Sequence, residues 1–167
     1  MISYTTTTEI EKPIDQVYAL LSDETKVNLW IKGLVKLETI NGIPGQVGFQ
    51  GKYTFYENNR TVIFYEEITA VEPGRSFSAQ MDSDGLTMEG HTLLEDLGGS
   101  TRLGVQQKVK GKSLFMKLML PFLKGMMRKR QEEDFIRFKQ LAEGGLEVPQ
   151  TKAIKGGAIP WVDQSGG

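Results

Sequence analysis

Apolar and polar residues alternate along the middle of the chain, and turn-forming residues interrupt the alternation at regular intervals. The alternation runs through six segments, 34–40, 48–56, 60–71, 75–81, 86–95 and 101–110, separated by connections containing Gly, Pro, Asn or Asp. A period of two predicts β-strands with one buried face, and the short connections predict hairpins. The β-branched segment before Pro13 adds one more strand at the N-terminus. The sequence therefore predicts seven strands, most of them in an antiparallel meander.

Helical spacing of apolar residues occurs in two other parts of the chain. One short helix is predicted after Pro13, and a second is predicted to end near Trp30. A long helix is predicted after residue 113. Its expected buried stripe is Phe115, Leu118, Met119, Phe122, Met126, Phe135, Phe138 and Leu141. Pro121 lacks a backbone donor, so we expect a kink or break that divides this helix into two segments.

These elements fit a single α+β domain. A chain of 167 residues is long enough for one domain with a substantial core, and too short for two. We expect the domain to span residues 1–143. Residues 144–167 show no periodicity, so we expect a tail that is flexible or that docks on the domain through Ile159, Trp161 and Val162.

Charge is unevenly distributed along the chain. The formal net charge is −1, yet residues 97–131 contain nine Lys or Arg residues and no acidic residue. One interpretation is a solvated basic face on the last hairpin and the helix. The other is a surface, residues 102–130, that makes peripheral contact with an anionic membrane or a protein partner.

The apolar run LFMKLMLPFLKGMMRKR, residues 114–130, contains too many cations to span a bilayer.

Residues that carry metal or nucleophilic chemistry are scarce. The chain has no cysteine and one histidine, His91, which the alternation turns outward. We therefore expect no metal site and no Ser-His-Asp triad, and without a glycine-rich nucleotide motif we expect no cofactor. The acidic remainder of the chain argues against nucleic acid as a partner. The lack of cysteine and of a signal-peptide pattern predicts a cytoplasmic protein.

Alternation assigns one face of each central strand to the interior. With the phase anchored on Ile68 and Leu103, three of the inward positions carry small residues, namely Gly51, Ala79 and Gly90. Small inward residues predict either a cavity or places where the sheet bends strongly.

The order of elements and several short motifs resemble one known superfamily. The motif residues are Ile10, Pro13, Val17, Leu21, Asp23, Trp30, Val47, Gly48, Ile68, Val71, Pro73, Gly99, Thr101, Leu103, Leu141, Ala142 and Glu143. Over residues 1–143 the chain resembles the START-like, or SRPBCC-type, superfamily, which includes polyketide cyclases and dehydrases, lipid-transfer domains and coenzyme Q-binding proteins. The resemblance implies a helix-grip fold: a seven-stranded antiparallel sheet wrapped around a long C-terminal helix, with two short helices between strands 1 and 2. It also implies a pocket for an apolar ligand between the sheet and that helix.

The inward faces, placed in the implied pocket, give a set of candidate ligand-binding residues. They are Trp30, Tyr53, Phe55, Phe64, Glu66, Phe77, Ala79, Met88, Thr92, Val105, Gln107, Met119, Phe122 and Met126. Glu66 is the one candidate for acid–base catalysis, because a carboxyl group among apolar side chains tends to have a raised pKa. It could instead orient the polar end of a ligand, with Gln107 or Tyr53 as the second contact. A phase error of one residue, for instance at a bulge, would turn Tyr65 or Glu67 inward in its place.

The sequence favours binding of a hydrophobic small molecule, such as a lipid, a quinone or a polyketide-like aromatic, as a carrier or sensor. The first alternative is an enzyme of the cyclase/dehydrase type acting on a bound polyketide-like substrate. A fold does not by itself imply a function, so the sequence leaves open whether the protein is an enzyme. The second alternative is a membrane- or protein-interaction module that uses the basic 102–130 face. The sequence gives no indication of the oligomeric state.

Overall fold

Seven strands and three helices build residues 1–144, the part of the chain that the structure, a computed structural model, describes. The strands are β1 (Ile2–Ile10), β2 (Leu34–Asn41), β3 (Gln50–Glu57), β4 (Arg60–Glu72), β5 (Ser76–Asp82), β6 (Leu86–Asp96) and β7 (Thr101–Gly111). The helices are α1 (Ile14–Leu21), α2 (Val27–Trp30) and α3 (Leu114–Ala142). Neighbouring strands are antiparallel, in the order β1-β7-β6-β5-β4-β3-β2. The predicted helix-grip fold is confirmed; the expected tail lies outside the described residues.

The first strand pairs with the last strand of the meander, not with the second strand. Ile2 lies opposite Val109, and Ile10 lies opposite Thr101. Because β1 and β2 are therefore at opposite edges of the sheet, the segment that holds α1 and α2 has to cross from one edge to the other. This crossing places both short helices at one end of the space between the sheet and α3.

The main core lies where the C-terminal half of α3 packs against the sheet. Ile10, Leu94, Leu103 and Phe138 are almost completely buried there, together with Val17 of α1. Trp30 of α2 meets the Phe138 ring edge-on, with 5.0 Å between the ring centroids. Burial of these side chains supplies most of the stabilisation at this end of the domain, since each fully buried large apolar side chain contributes about 1.5–3 kcal/mol.

The long helix is continuous through its proline. α3 runs from Leu114 to Ala142 with Pro121 inside it, so the predicted division into two segments is wrong. Proline has no backbone N–H, so the carbonyl of Lys117 lacks its usual helical hydrogen bond. Because Pro121 is exposed, water can reach this carbonyl and replace the bond. At its start the helix is capped by Ser113, whose Oγ accepts from the Met116 N–H at 3.1 Å.

The predicted buried stripe of α3 is correct only in its second half. Phe135 and Phe138 are buried, but the first half buries Leu120 and leaves Phe122 exposed. Leu120 packs against Tyr4 and Val109. The prediction fails because apolar residues occupy nearly every side of the helix between residues 114 and 127, so their spacing does not define one buried face.

Candidate functional site

A cavity of about 480 Å³ lies between the inner face of the sheet and α3, with residues of α1 and α2 at one end. This volume is in the range of small-molecule sites. The cavity wall includes most of the predicted ligand-binding residues: Trp30, Tyr53, Phe55, Phe64, Glu66, Phe77, Met88, Thr92, Val105, Gln107 and Met126.

Three predicted residues are not part of the cavity wall. Phe122 is 81% exposed, and Met119, on the same half of α3, also lies away from the cavity. Both residues were expected at the cavity because of the predicted stripe in the first half of the helix, which is incorrect. Ala79 shares a face with Phe77 and Met81, which do reach the wall, but it does not itself line the cavity.

The small inward residues make room for neighbouring side chains, not for the cavity. A Cβ on Gly51 would lie 3.1 Å from the ring of Phe49, and a Cβ on Gly90 would lie 3.1 Å from Nε2 of Gln107. Neither glycine lines the cavity. Their role is to let Phe49 and Gln107 lie close to the sheet, so the cavity does not result from missing side-chain volume at these positions.

Glu66 and Tyr53 form a hydrogen-bonded pair on the cavity wall. The Tyr53 hydroxyl donates to Oε2 of Glu66. Tyr65 and Glu67 are exposed on the other face of β4, which confirms the predicted phase of this strand. The irregularity in β4 occurs later, between Ile68 and Ala70, and therefore does not change the direction of Glu66.

Burial dominates the electrostatics of this pair. Loss of hydration raises the pKa of Glu66; the nearby Glu24 adds to the rise, and the hydrogen bond from Tyr53 opposes it. Loss of hydration, followed by the negative charge of Glu66, also raises the pKa of Tyr53. Both groups therefore keep their protons up to a higher pH than the same groups do in water.

Three side chains at the cavity each have a buried polar atom with no hydrogen-bond partner among residues 1–144. The atoms are Oε1 of Gln107, Nε1 of Trp30 and Oε1 of Glu57, whose other carboxylate oxygen accepts from Arg130. The Gln107 atom is an acceptor and the Trp30 atom a donor. A ligand that reached these side chains with a donor for Gln107 and an acceptor for Trp30 would satisfy both atoms.

An ion pair adjoins the cavity at the middle of α3. The Arg130 guanidinium donates to Oε2 of Glu57 and to the carbonyl of Lys32, and it lies over the Phe55 ring, 5.8 Å from the ring centroid. Arg130 and Glu57 both contribute to the cavity wall. The contact links α3 to β3 and to the loop after α2.

Sequence reasoning missed several residues of the cavity wall, including Tyr4, Glu24, Glu57 and Arg130. A signal for Tyr4 was present, because it shares the inward phase of β1 with Ile10, and burial raises its pKa to about 12. No signal was present for the Arg130–Glu57 pair. Its members are 73 residues apart and meet only when α3 packs over the sheet.

His91 lies on the outer face of the sheet, as predicted. It is exposed, and its Nδ1 is hydrogen-bonded to Oγ of Ser78 at 2.9 Å. In residues 1–144 no group of three or more His, Asp or Glu side chains is placed to hold a metal ion. The same residues include no helix with the length and apolarity that crossing a membrane requires.

The fold and the cavity define a helix-grip protein with a largely apolar internal site. The chain belongs to the family described as polyketide cyclase / dehydrase and lipid transport, which its sequence matches over residues 1–143. Among curated proteins, no sequence matches this chain.

Several solved structures share this fold at low sequence identity. The Zhui aromatase/cyclase from Streptomyces sp. R1128 is 13% identical, with 94% of this chain and 99% of that chain covered and a TM-score of 0.73. Ara h 8.0201 is also 13% identical, with 86% and 98% covered and a TM-score of 0.71. A conserved protein from Geobacillus kaustophilus is 14% identical, with 86% and 96% covered and a TM-score of 0.74. At these identities the similarity shows the fold alone.

Proposed function

We propose that this protein binds a mainly apolar small molecule in the cavity and acts as a carrier or sensor of that molecule. The observation that supports this most directly is a cavity of about 480 Å³ whose wall includes Gln107 and Trp30, each with a buried polar atom that has no partner within residues 1–144. A buried polar group that lacks a hydrogen bond costs about 1–3 kcal/mol. A ligand that supplies the missing bonds would recover part of this cost on binding.

The unpaired atoms of Gln107 and Trp30 suggest which polar groups such a ligand carries. A hydroxyl group would donate to Oε1 of Gln107, and a carbonyl oxygen would accept from Nε1 of Trp30. The side chains of Phe64, Phe77 and Val105 would contact its apolar skeleton. Hydroxylated polyketide-like aromatics and reduced quinones fit this description better than simple hydrocarbons, and a lipid would need polar groups at matching positions.

Native mass spectrometry of the purified full-length chain tests the proposal, with solvent extraction to identify what is bound. We expect a bound molecule with an apolar skeleton and at least one hydroxyl or carbonyl group. The Gln107→Leu variant should retain less of it, because leucine fills a similar volume but accepts no hydrogen bond. Failure to bind any apolar compound, either from the expression host or from an added panel of naphthols and hydroxyquinones, would contradict the proposal.

A second function, catalysis of cyclisation, is supported by the Tyr53–Glu66 pair. The carboxylate of Glu66 could remove a proton from the carbon next to a substrate carbonyl. The resulting enolate would attack a second carbonyl of the same substrate, and the alkoxide formed would take the proton back. Tyr53 would position Glu66 through its hydrogen bond.

Glu66→Gln separates the two functions, because glutamine keeps the shape but does not titrate. If the protein is a carrier, the variant should bind the ligand with similar affinity, and neither form should convert it. Loss of turnover with retained affinity would instead establish the cyclase function. The control is Glu67→Gln, which changes the adjacent exposed carboxylate on the opposite face of the strand.

A further inference from the structure

The first half of α3 exposes large apolar side chains along one face. The exposed fractions are 74% for Leu114, 69% for Phe115, 65% for Leu118, 81% for Phe122 and 63% for Met126. Four of these residues follow one another at intervals of four, and Phe115 lies next to the first, so all five share one side of the helix. We call these five residues the α3 apolar face. A surface of this kind, formed by adjacent large side chains, indicates an interaction site.

Three lysines beside the α3 apolar face have no ion-pair partner within the described part of the chain. Lys117 and Lys124 follow one side of it, and Lys129 lies at its C-terminal end; all three are exposed and form no ion pair within residues 1–144. Lys108 on the neighbouring strand β7 is likewise exposed and in no ion pair within residues 1–144, but the two basic residues that follow it differ in this respect. Lys110 pairs with Glu89 at 2.9 Å, and the following Lys112 pairs with Asp82 at 2.7 Å. The basic segment of the sequence therefore leaves its uncompensated charge mainly on the helix.

We propose that the first half of α3 is a docking surface for an anionic lipid bilayer, with the α3 apolar face inserted among the headgroups and the three lysines near the phosphates. A helix that lies in a membrane interface has this arrangement, with apolar side chains on one face and Lys or Arg beside them. Each cation near an anionic surface adds about 1 kcal/mol of attraction, which corresponds to roughly a fivefold change in binding. The charge of the surface is complementary to lipid phosphate, since residues 97–131 contain no acidic side chain.

Docking in this orientation would bring the cavity close to the membrane. Met126 belongs to the α3 apolar face and also to the cavity wall. Arg130, one turn further along, pairs with Glu57 at the wall of the same cavity. An apolar ligand could therefore pass between the bilayer and the cavity along this helix, but the docking itself does not depend on the proposed ligand binding.

Vesicle sedimentation with the full-length protein tests the docking. We expect binding to phosphatidylglycerol–phosphatidylcholine vesicles and much weaker binding to phosphatidylcholine alone, with a steep loss at high salt. Replacing all three lysines should lower the partition coefficient between vesicles and water by roughly a hundredfold; the changes are Lys117→Gln, Lys124→Gln and Lys129→Gln. Phe115→Ser with Phe122→Ser should lower it by at least about tenfold. The matched control is Ile43→Ser with Val47→Ser, which removes two exposed apolar side chains from the loop before β3.

A fluorescent label measures which surface enters the bilayer. The chain has no cysteine, so Gly125→Cys provides a single attachment point beside Phe122 and Met126, where an added Cβ has no neighbour within 4 Å. An environment-sensitive dye there should shift to the blue on anionic vesicles and be quenched by brominated lipid. The same dye on Ile43→Cys should show neither effect.

Three results would overturn the proposal. They are equal binding to neutral and anionic vesicles, no response of the label at Gly125→Cys, and a stable dimer that the Phe115→Ser and Phe122→Ser changes convert to monomer. The last result would mean that a second copy of the chain covers the α3 apolar face. Absence of ligand in the cavity with intact vesicle binding would contradict only the proposed function.

Discussion

At the scale of single residues, the most informative agreement between sequence and structure is the inward direction of the Glu66 side chain. Strict alternation along β4 predicted its inward direction, and the structure places it on the cavity wall beside Tyr53. The alternation works here because the irregularity of β4 comes after Ile68, too late to change the phase. Alternation does not predict which groups a side chain contacts. It predicted neither that Oε1 of Gln107 has no hydrogen-bond partner within residues 1–144 nor that Glu24 helps to raise the pKa of Glu66.

The raised pKa of Glu66 makes stability depend on pH in a defined direction. The native state holds the proton more tightly than the unfolded state, where the pKa is near its ordinary value of 4.5. Stability from this group is therefore complete below that value and is lost as the pH rises through the native pKa. Glu66→Gln removes the effect, so its free energy of unfolding relative to the wild type should increase with pH over that window. Urea unfolding at a series of pH values measures the difference; a slope equal to that of Glu67→Gln would contradict it.

Gly51 is a second residue whose role can be tested. A methyl group at this position would press on the buried rings of Phe49 and Tyr53, at 3.1 and 3.3 Å. Gly51→Ala should therefore lower the free energy of unfolding by about 1–3 kcal/mol, as overpacking of a core does. Gly104→Ala is the control, because its new Cβ would meet Thr7 at an ordinary 3.6 Å. Equal stability of the two variants in denaturant titrations would show that the rings around Gly51 are free to move.

At the scale of elements, the strands were easier to predict than the long helix. In a strand, alternate residues share a face, and the polar residues on the outer face of β7 leave one choice of phase for that strand. In the first half of α3, Leu, Phe and Met occur on nearly all sides, so several faces satisfy helical spacing equally well. Packing of Leu120 against Tyr4 and Val109 selects one of them. This selection depends on the shape of the sheet, which no local pattern contains.

Pro121 offers a test of how α3 tolerates a missing hydrogen bond. Replacing it with alanine restores a backbone donor to the carbonyl of Lys117 and removes a residue that costs up to about 3 kcal/mol in a helix interior. Pro121→Ala should therefore raise the free energy of unfolding, and by more than Gly125→Ala, for which we expect about 1 kcal/mol. Thermal and chemical unfolding measure both changes. A loss of stability in Pro121→Ala would mean that the local geometry around the proline is needed for the packing of Leu120.

At the scale of the whole molecule, the cavity separates three clusters of buried side chains. The main cluster includes Phe138, the second includes Leu120, and the third includes Val27 and Tyr53. Residues from all three clusters also line the cavity. The sequence predicted the elements that bring them together, but it could not predict the Arg130–Glu57 contact between α3 and β3, because that contact requires the assembled fold. A bound ligand would join the three clusters and should stabilise the domain in proportion to its concentration.

The main cluster should carry most of the stability, and Phe138 is the residue that tests this. It is fully buried, packs in the cluster that includes Val17 and Leu103, and meets Trp30 edge-on at 5.0 Å. Phe138→Ala removes its apolar contacts and leaves a void that these rigid neighbours cannot fill, so it should lower the free energy of unfolding by about 3–5 kcal/mol. The same loss should separate α2 from α3 and weaken ligand retention.

Ile136→Ala, at an exposed position on the same helix, is the matched control and should change stability by less than about 0.5 kcal/mol. Urea titrations that gave similar losses for the two variants would show that stability is spread evenly over the domain and not concentrated at the C-terminal half of α3.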